Sequence, residues 1–141
     1  MTSQTFVLAL SVGALLAFLV GLSAHLVGYD RDRSFYAVVL TVVGAIYPLF
    51  AVMAGGQKLV PEVVFFALFA TLAATGFRTS LWIVAAGLLL HGLFDCVRHA
   101  YLPAPGAPGW WPAFCGAYDV VAALAVAVLL LLKRGPARLS S

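Results

Sequence analysis

The chain has 141 residues, of which 64% are hydrophobic and only 9% are charged, and its formal net charge is +3. A soluble domain carries about a quarter charged residues, so this composition excludes a water-soluble fold and predicts that the lipid bilayer is the main partner. The basic residues are scattered through the expected loops, as membrane topology requires, so the charge does not indicate nucleic-acid binding.

Five apolar runs follow one another along the chain. They cover approximately residues 5–28, 35–54, 59–76, 81–102 and 113–132. Each holds about 18 to 24 residues, which as a helix at 1.5 Å per residue crosses a hydrocarbon core of about 30 Å. Lipid offers the backbone no hydrogen-bond partner, so such runs must be helices or barrel strands, and their length indicates helices. We therefore predict an all-α integral membrane protein, a bundle of five transmembrane helices, with residues 1–141 as a single transmembrane helical domain.

The basic residues predict the orientation of the bundle. One side receives Arg31, Arg33, Arg78, Lys133, Arg134 and Arg138. The other side receives only Lys58 and Arg98, so the positive-inside rule predicts an external N-terminus and a cytoplasmic C-terminus, in what we expect to be a bacterial inner membrane. A re-entrant third span, which is short and carries Glu62 near its start, would instead place both termini on one side. The first run has no basic segment before it and no small-x-small site after it, so we expect it to be retained as a span.

Two connections carry distinct signals. The charged segment 29–33 is expected to be a solvated cytoplasmic turn with local ion pairs. The proline-rich segment 103–112 stops the fourth helix and is short, so the fourth and fifth helices should be antiparallel neighbours. Its Trp110 and Trp111 suit the membrane–water interface, where their rings can contact both solvents and an amphiphilic substrate.

The fourth run carries the most informative motif of the chain. His91, Asp95 and His99 stand at i, i+4 and i+8, which places them on one face of a helix. Ionisable groups in a membrane span are costly and usually have a function. In the predicted topology this face climbs the outer half of the fourth helix, and Asp119 of the fifth helix lies at about the level of Asp95.

Further residues are expected to share this outer level. Glu62 opens the third run, Tyr47 lies in the outer half of the second, and Tyr118 precedes Asp119. Gly87 and the small residues that follow Cys115 and Asp119 at four-residue spacing favour faces that pack into the bundle. The predicted acid–base residues are His91, Asp95, His99, Asp119 and Glu62. The predicted substrate-binding residues are Tyr47, Tyr118, Trp110 and Trp111.

Four functions are compatible with this pocket. A membrane enzyme would use it for acid–base chemistry on a lipid-like or isoprenoid molecule, a hydrophobic small-molecule partner. A metal site could combine Asp119 with His91 and Asp95, or with Asp95 and His99, although the two histidines are about 12 Å apart along the axis, too far to chelate one ion unaided. The third function is proton- or ion-coupled transport, and the fourth is that of a structural or accessory subunit. No cofactor is specified, and a homo-oligomer is compatible with the pattern.

Several residues also have simpler interpretations. Glu62 suits the N-terminal dipole of a helix, His99 and Arg98 can reach to the interface, and a histidine such as His25 is often packed or interfacial. His91 and Asp95 can hydrogen-bond to each other between successive turns. The two cysteines, Cys96 and Cys115, are expected to be buried free thiols, although a disulfide between them is conceivable. Thiol–disulfide catalysis is not expected, because there is no CxxC motif.

Overall fold

In the computed structural model, residues 2–133 are described, apart from the side chains of His99 and Lys133. Arg134 and Arg138, which contribute to the predicted charge bias, lie outside the described residues. The described chain forms five long helices: α1 Ser3–Val27, α2 Ser34–Met53, α3 Leu59–Arg78, α4 Leu81–Tyr101 and α5 Trp111–Lys133. All five are long and apolar enough to cross a membrane. The prediction of a five-helix bundle is confirmed, with bounds within two residues of those expected.

The helix ends follow from local chemistry. Thr2 caps α1 by accepting a hydrogen bond from the Thr5 amide, and Gly28 ends it in the left-handed conformation with a φ of 93°. That conformation is cheap only for glycine, which has no Cβ to clash. Ser80 caps α4 by accepting from the Trp82 amide. The connections are therefore tight, and most of the described chain is used by the helices.

The third helix is continuous over its 20 residues. At 1.5 Å per residue it is about 30 Å long, which matches the hydrocarbon thickness. Its length therefore favours a full span over a re-entrant segment.

Helix α5 organises the bundle, because it packs against both α4 and α1. Helix α4 also contacts α3 and α2, and α2 packs along α3. The neighbouring position of α4 and α5 agrees with the expectation from their short connection. Within residues 2–133, α1 and α2 do not pack on each other although they are consecutive in the chain. That gap leaves one side of α5 accessible between them.

Glycine permits the two closest approaches to α5. A Cβ added at Gly13 would lie 2.1 Å from the Phe114 carbonyl oxygen, so α1 can contact the backbone of α5 only with glycine there. A Cβ at Gly92 would lie 3.2 Å from the Gly116 oxygen and 3.3 Å from Cβ of Asp119. Small residues at these positions bring membrane helices together. The second contact sets the spacing of α4 and α5 at the polar site.

The segment 29–33 differs from the expected solvated turn. Tyr29–Arg31 form one 3-10 turn that buries Asp30, whose Oδ2 lies 2.7 Å from Nδ1 of His25. The His25 side chain is 63% exposed, whereas the Asp30 side chain beside it is only 4% exposed, so the histidine covers the carboxylate. Asp32 is solvated as expected, and it accepts a hydrogen bond from the Ser34 amide that lowers its pKa.

Candidate functional site

One face of α4 carries three of the buried polar side chains of the bundle. His91, Asp95 and Arg98 stand at i, i+4 and i+7, which is the spacing of one helix face. Each is at most 3% exposed. His91 stands ten residues from either end of α4, about 15 Å along the axis, so the polar face begins at mid-depth and extends towards the 103–112 connection. The outer-half placement predicted for this face therefore needs correction at His91.

The central contact joins α4 to α5. Nδ1 of His91 lies 2.7 Å from Oδ2 of Asp119, a hydrogen bond between two side chains that are 1% and 0% exposed. Oδ2 of Asp95 is 3.7 Å from the same nitrogen, too far for a hydrogen bond. The expected His91–Asp95 bond between successive turns is therefore not formed, because the imidazole turns to the carboxylate of the neighbouring helix.

Two further residues contact these carboxylates. The Tyr47 hydroxyl of α2 donates a hydrogen bond to Oδ1 of Asp95 at 2.5 Å. The Cys115 thiol, one turn before Asp119 on α5, approaches Oδ2 of Asp119 at 3.9 Å. We call His91, Asp95, Cys115 and Asp119 the central cluster. All four are buried, their nearest donor atoms lie within 4.8 Å of one another, and the set could hold a metal ion.

A buried ion pair lies beside the central cluster. Both terminal nitrogens of Arg98 donate to the carboxylate of Glu62 at 2.6 Å, and the two residues are 3% and 2% exposed. The Arg98 guanidinium also lies 4.4 Å from the centroid of the Tyr47 ring. The simpler interpretation of Arg98 was a side chain that reaches to the membrane–water interface. Its burial against Glu62 contradicts that interpretation. Glu62 lies in the first turn of α3, but both its oxygens are engaged by Arg98.

Two separate spaces reach this polar region. A cavity of about 410 Å³, which we call the α2–α5 groove, is lined mostly by valines of α2 and by Phe114, Cys115 and Tyr118 of α5. Cys115 thus borders both the groove and the central cluster. On the other side, a cavity of about 60 Å³ lies under the 103–112 connection and is bordered by Tyr47 and Arg98, large enough to hold water.

The remaining predicted residues lie around this site. Tyr118 and Trp111 are half-buried and line the α2–α5 groove. Trp110 is 41% exposed and borders a different apolar surface with α1. The backbone of His99 is helical, but its side chain lies outside the described part of the chain.

Several nitrogen and oxygen atoms of the central cluster have no hydrogen-bond partner among the described residues. Among the described residues, His91 Nε2, Asp95 Oδ2 and Asp119 Oδ1 are buried without a hydrogen-bond partner. An unpaired buried polar atom costs about 1–3 kcal/mol, more if it is charged. Two carboxylates also share one imidazole in a medium that penalises unbalanced charge. This arrangement is therefore costly if its only purpose is to fix helix packing.

Sequence reasoning misses the roles of two residues, and both carry a usable signal. From the sequence, Arg98 is interpreted as a charge at the membrane–water interface, although its i+7 position relative to His91 places it on the polar face. Cys115 reads as a small apolar residue, although it precedes Asp119 by one helical turn. Both cysteines are free, as expected, but Cys96 is exposed rather than buried.

Comparisons with models of known protein families, with curated protein sequences and with solved structures each find no match to this chain. The function proposed below is therefore argued from the geometry of the bundle.

Proposed function

We propose that this chain is a membrane enzyme that carries out acid–base chemistry on a lipid-like or isoprenoid substrate. The observation that carries the proposal is the 2.7 Å hydrogen bond between His91 and Asp119, two ionisable groups from different helices that are almost completely buried. Ionisable residues inside a membrane protein are expensive and commonly mark a functional site. Here a second carboxylate, Asp95, faces the same imidazole nitrogen at 3.7 Å.

The roles follow from these contacts. Acid–base catalysis needs one group that gives a proton and one that takes it, both within hydrogen-bond reach of the substrate. His91 and Asp119 are the proton-transfer pair. Asp95, whose Oδ1 accepts a hydrogen bond from Tyr47, places a second carboxylate beside the imidazole. A proton added to one carbon of a double bond, and a proton removed from the carbon attached to the other end of that bond, shift the double bond by one position without changing the composition of the lipid.

The α2–α5 groove suits the substrate. It offers about 410 Å³ of space with an almost entirely apolar wall, on the side where α1 and α2 do not meet within the described chain. A hydrocarbon chain or ring entering from the bilayer would pass Tyr118 and reach Cys115, whose side chain contacts both the groove and Asp119.

The charge distribution supports the proposed orientation. Arg31, Arg33 and Arg78 lie at one end of the bundle, whereas Lys58 lies at the other end, next to the start of α3. The positive-inside rule puts the arginine-rich end in the cytoplasm. The polar face, which begins at mid-depth with His91, then extends towards the external side of a bacterial inner membrane, with the N-terminus outside.

Deuterium labelling tests the proposal. The purified protein is reconstituted with total lipids from cells that express it and incubated in D₂O, and the lipids are analysed by mass spectrometry. We expect one lipid class to gain deuterium at carbon with the wild type and with Cys96→Ser, and to lose this gain with Asp119→Asn. If the folded wild type labels no lipid, the enzymatic proposal is wrong.

A further inference from the structure

We propose that the central cluster is a resident divalent-metal site of the zinc class, with His91, Asp95, Cys115 and Asp119 as its ligands. The inference concerns the same residues as the proposed function: a metal on Nδ1 of His91 and Oδ2 of Asp119 would leave Nε2 of His91 and Oδ1 of Asp119, which have no hydrogen-bond partner among the described residues, for proton transfer. Its catalytic meaning rests on that function, but metal binding can be tested by itself. Three observations carry it: the spacing of the donor atoms, an unpartnered carboxylate oxygen, and the charge balance of the interior.

The donor atoms are close to the spacing of a tetrahedral site. Zinc bonds of about 2.0–2.3 Å place neighbouring ligand atoms about 3.3–3.8 Å apart. Nδ1 of His91 and Oδ2 of Asp95 are 3.7 Å apart, and Sγ of Cys115 and Oδ2 of Asp119 are 3.9 Å apart. The shorter His91–Asp119 distance of 2.7 Å would open by about 0.6 Å to reach that range. All four ligand atoms lie within 4.8 Å of one another, so shifts of about 1 Å would bring the set to tetrahedral spacing.

Asp95 presents an unsatisfied oxygen to this group. Asp95 is 0% exposed, and its Oδ2 has no hydrogen-bond partner among the described residues. Its other oxygen is held by the Tyr47 hydroxyl at 2.5 Å. Hydrogen bonds to the outer atoms of ligating side chains orient them towards a metal ion. Tyr47 therefore fixes Asp95 with its free oxygen directed towards His91 and the rest of the cluster.

The charges of the interior also favour a cation. Arg98, which shares the polar face of α4 with Asp95, is already neutralised by Glu62 through two hydrogen bonds of 2.6 Å. Among the described residues, His91, Tyr47 and Cys115 hydrogen-bond or pair with the two aspartates, and of these three only His91 can carry a positive charge. Uncompensated buried carboxylates are costly, and a divalent ion would neutralise both.

The donor types select the metal. A thiolate and an imidazole with two carboxylates suit zinc, iron or cobalt, whereas calcium and magnesium prefer oxygen ligands alone. Bound zinc would keep Cys115 deprotonated, and its four protein ligands would complete a tetrahedral shell. Cys115 is therefore the ligand that distinguishes this site from an all-oxygen site.

Metal content of paired cysteine variants tests the proposal. Wild type, Cys115→Ser and Cys96→Ser are purified without a histidine tag, and zinc per chain is measured by mass spectrometry. We expect about one zinc in the wild type and in Cys96→Ser, and an at least tenfold weaker affinity in Cys115→Ser. Cys96 is a matched control because it lies on α4 but is exposed and outside the cluster.

Cobalt replacement gives a readout that does not depend on a variant. Wild-type protein stripped of zinc and titrated with Co²⁺ should saturate at one equivalent and show a thiolate-to-cobalt charge-transfer band, which Cys115→Ser should lose. Folded wild type that takes up neither zinc nor cobalt overturns the proposal, and so does zinc that both Cys115→Ser and His91→Gln retain. Metal-free protein that still labels lipid with deuterium would refute the metal site alone. Metal-bound protein that labels no lipid would refute the enzyme alone.

Discussion

His91 of α4 and Asp119 of α5 are separated by 28 residues in the chain and by 2.7 Å in the folded bundle. The close approach of their helices at Gly92 and Gly116 makes this distance possible. The two groups are hydrogen-bonded to each other, and Asp95 and Cys115 lie beside the same pair. The functional proposals depend on this contact, and the predictions below test it and the packing that supports it.

Asp119→Ala should destabilise the protein by about 1–3 kcal/mol, because it leaves the buried His91 nitrogen without its partner. Asp119→Asn keeps the size of the side chain and a hydrogen-bonding oxygen, so it should fold with a smaller loss. Reversible unfolding in detergent–lipid micelles measures both variants. Equal stability of Asp119→Ala and the wild type would show that the His91–Asp119 bond is not formed in the membrane.

Breaking the Glu62–Arg98 pair should cost more than removing both partners. Arg98→Met leaves the Glu62 carboxylate buried and unpaired, and we expect a loss of about 3–5 kcal/mol. The double variant Glu62→Met, Arg98→Met should recover much of that stability, because it leaves no buried charge. A double-mutant cycle of unfolding free energies measures the coupling, and additive losses would contradict a buried pair.

Gly13→Ala should be strongly unfavourable although alanine is the better helix former. Its Cβ would lie 2.1 Å from the Phe114 carbonyl oxygen, so α1 must move away from α5, with a loss of about 1–3 kcal/mol. Gly109→Ala is the control, because a Cβ there meets nothing within 4 Å. Thermal unfolding of the two variants should separate them, and an equally stable Gly13→Ala would contradict the packing of α1 on α5.

Tyr47→Phe should fold and should impair the site. It removes the 2.5 Å hydrogen bond to Asp95 while keeping the ring that lies beside Arg98. The expected loss of stability is about 1–3 kcal/mol, because an oxygen of Asp95 becomes unpaired. If the metal is bound, its affinity should fall by about 10–100-fold. Tyr101→Phe is the control, since Tyr101 is 79% exposed, and identical cobalt affinity in both variants would exclude an orienting role for Tyr47.

The sequence by itself determined the five helices and, within two residues, their bounds. Hydropathy and backbone hydrogen bonding are local properties, so a run of about twenty apolar residues is sufficient to predict a helix long enough to cross a bilayer. The same reasoning placed His91 and Asp95 on one face of α4 and anticipated Asp119 near that level, because helix rise and a short connection limit the relative depth of α4 and α5.

Only the tertiary structure decided which polar groups meet. From the sequence, Arg98 could equally reach to the membrane–water interface. The fold instead pairs it with Glu62 of α3, which is 36 positions away in the chain. Cys115 gained significance only when the rotation of α5 turned its sulfur towards Asp119 on the inner side and towards the α2–α5 groove on the other. The rotation and separation of helices are set by how side chains and glycines interlock across the whole bundle, and this information is not contained in any local window of sequence.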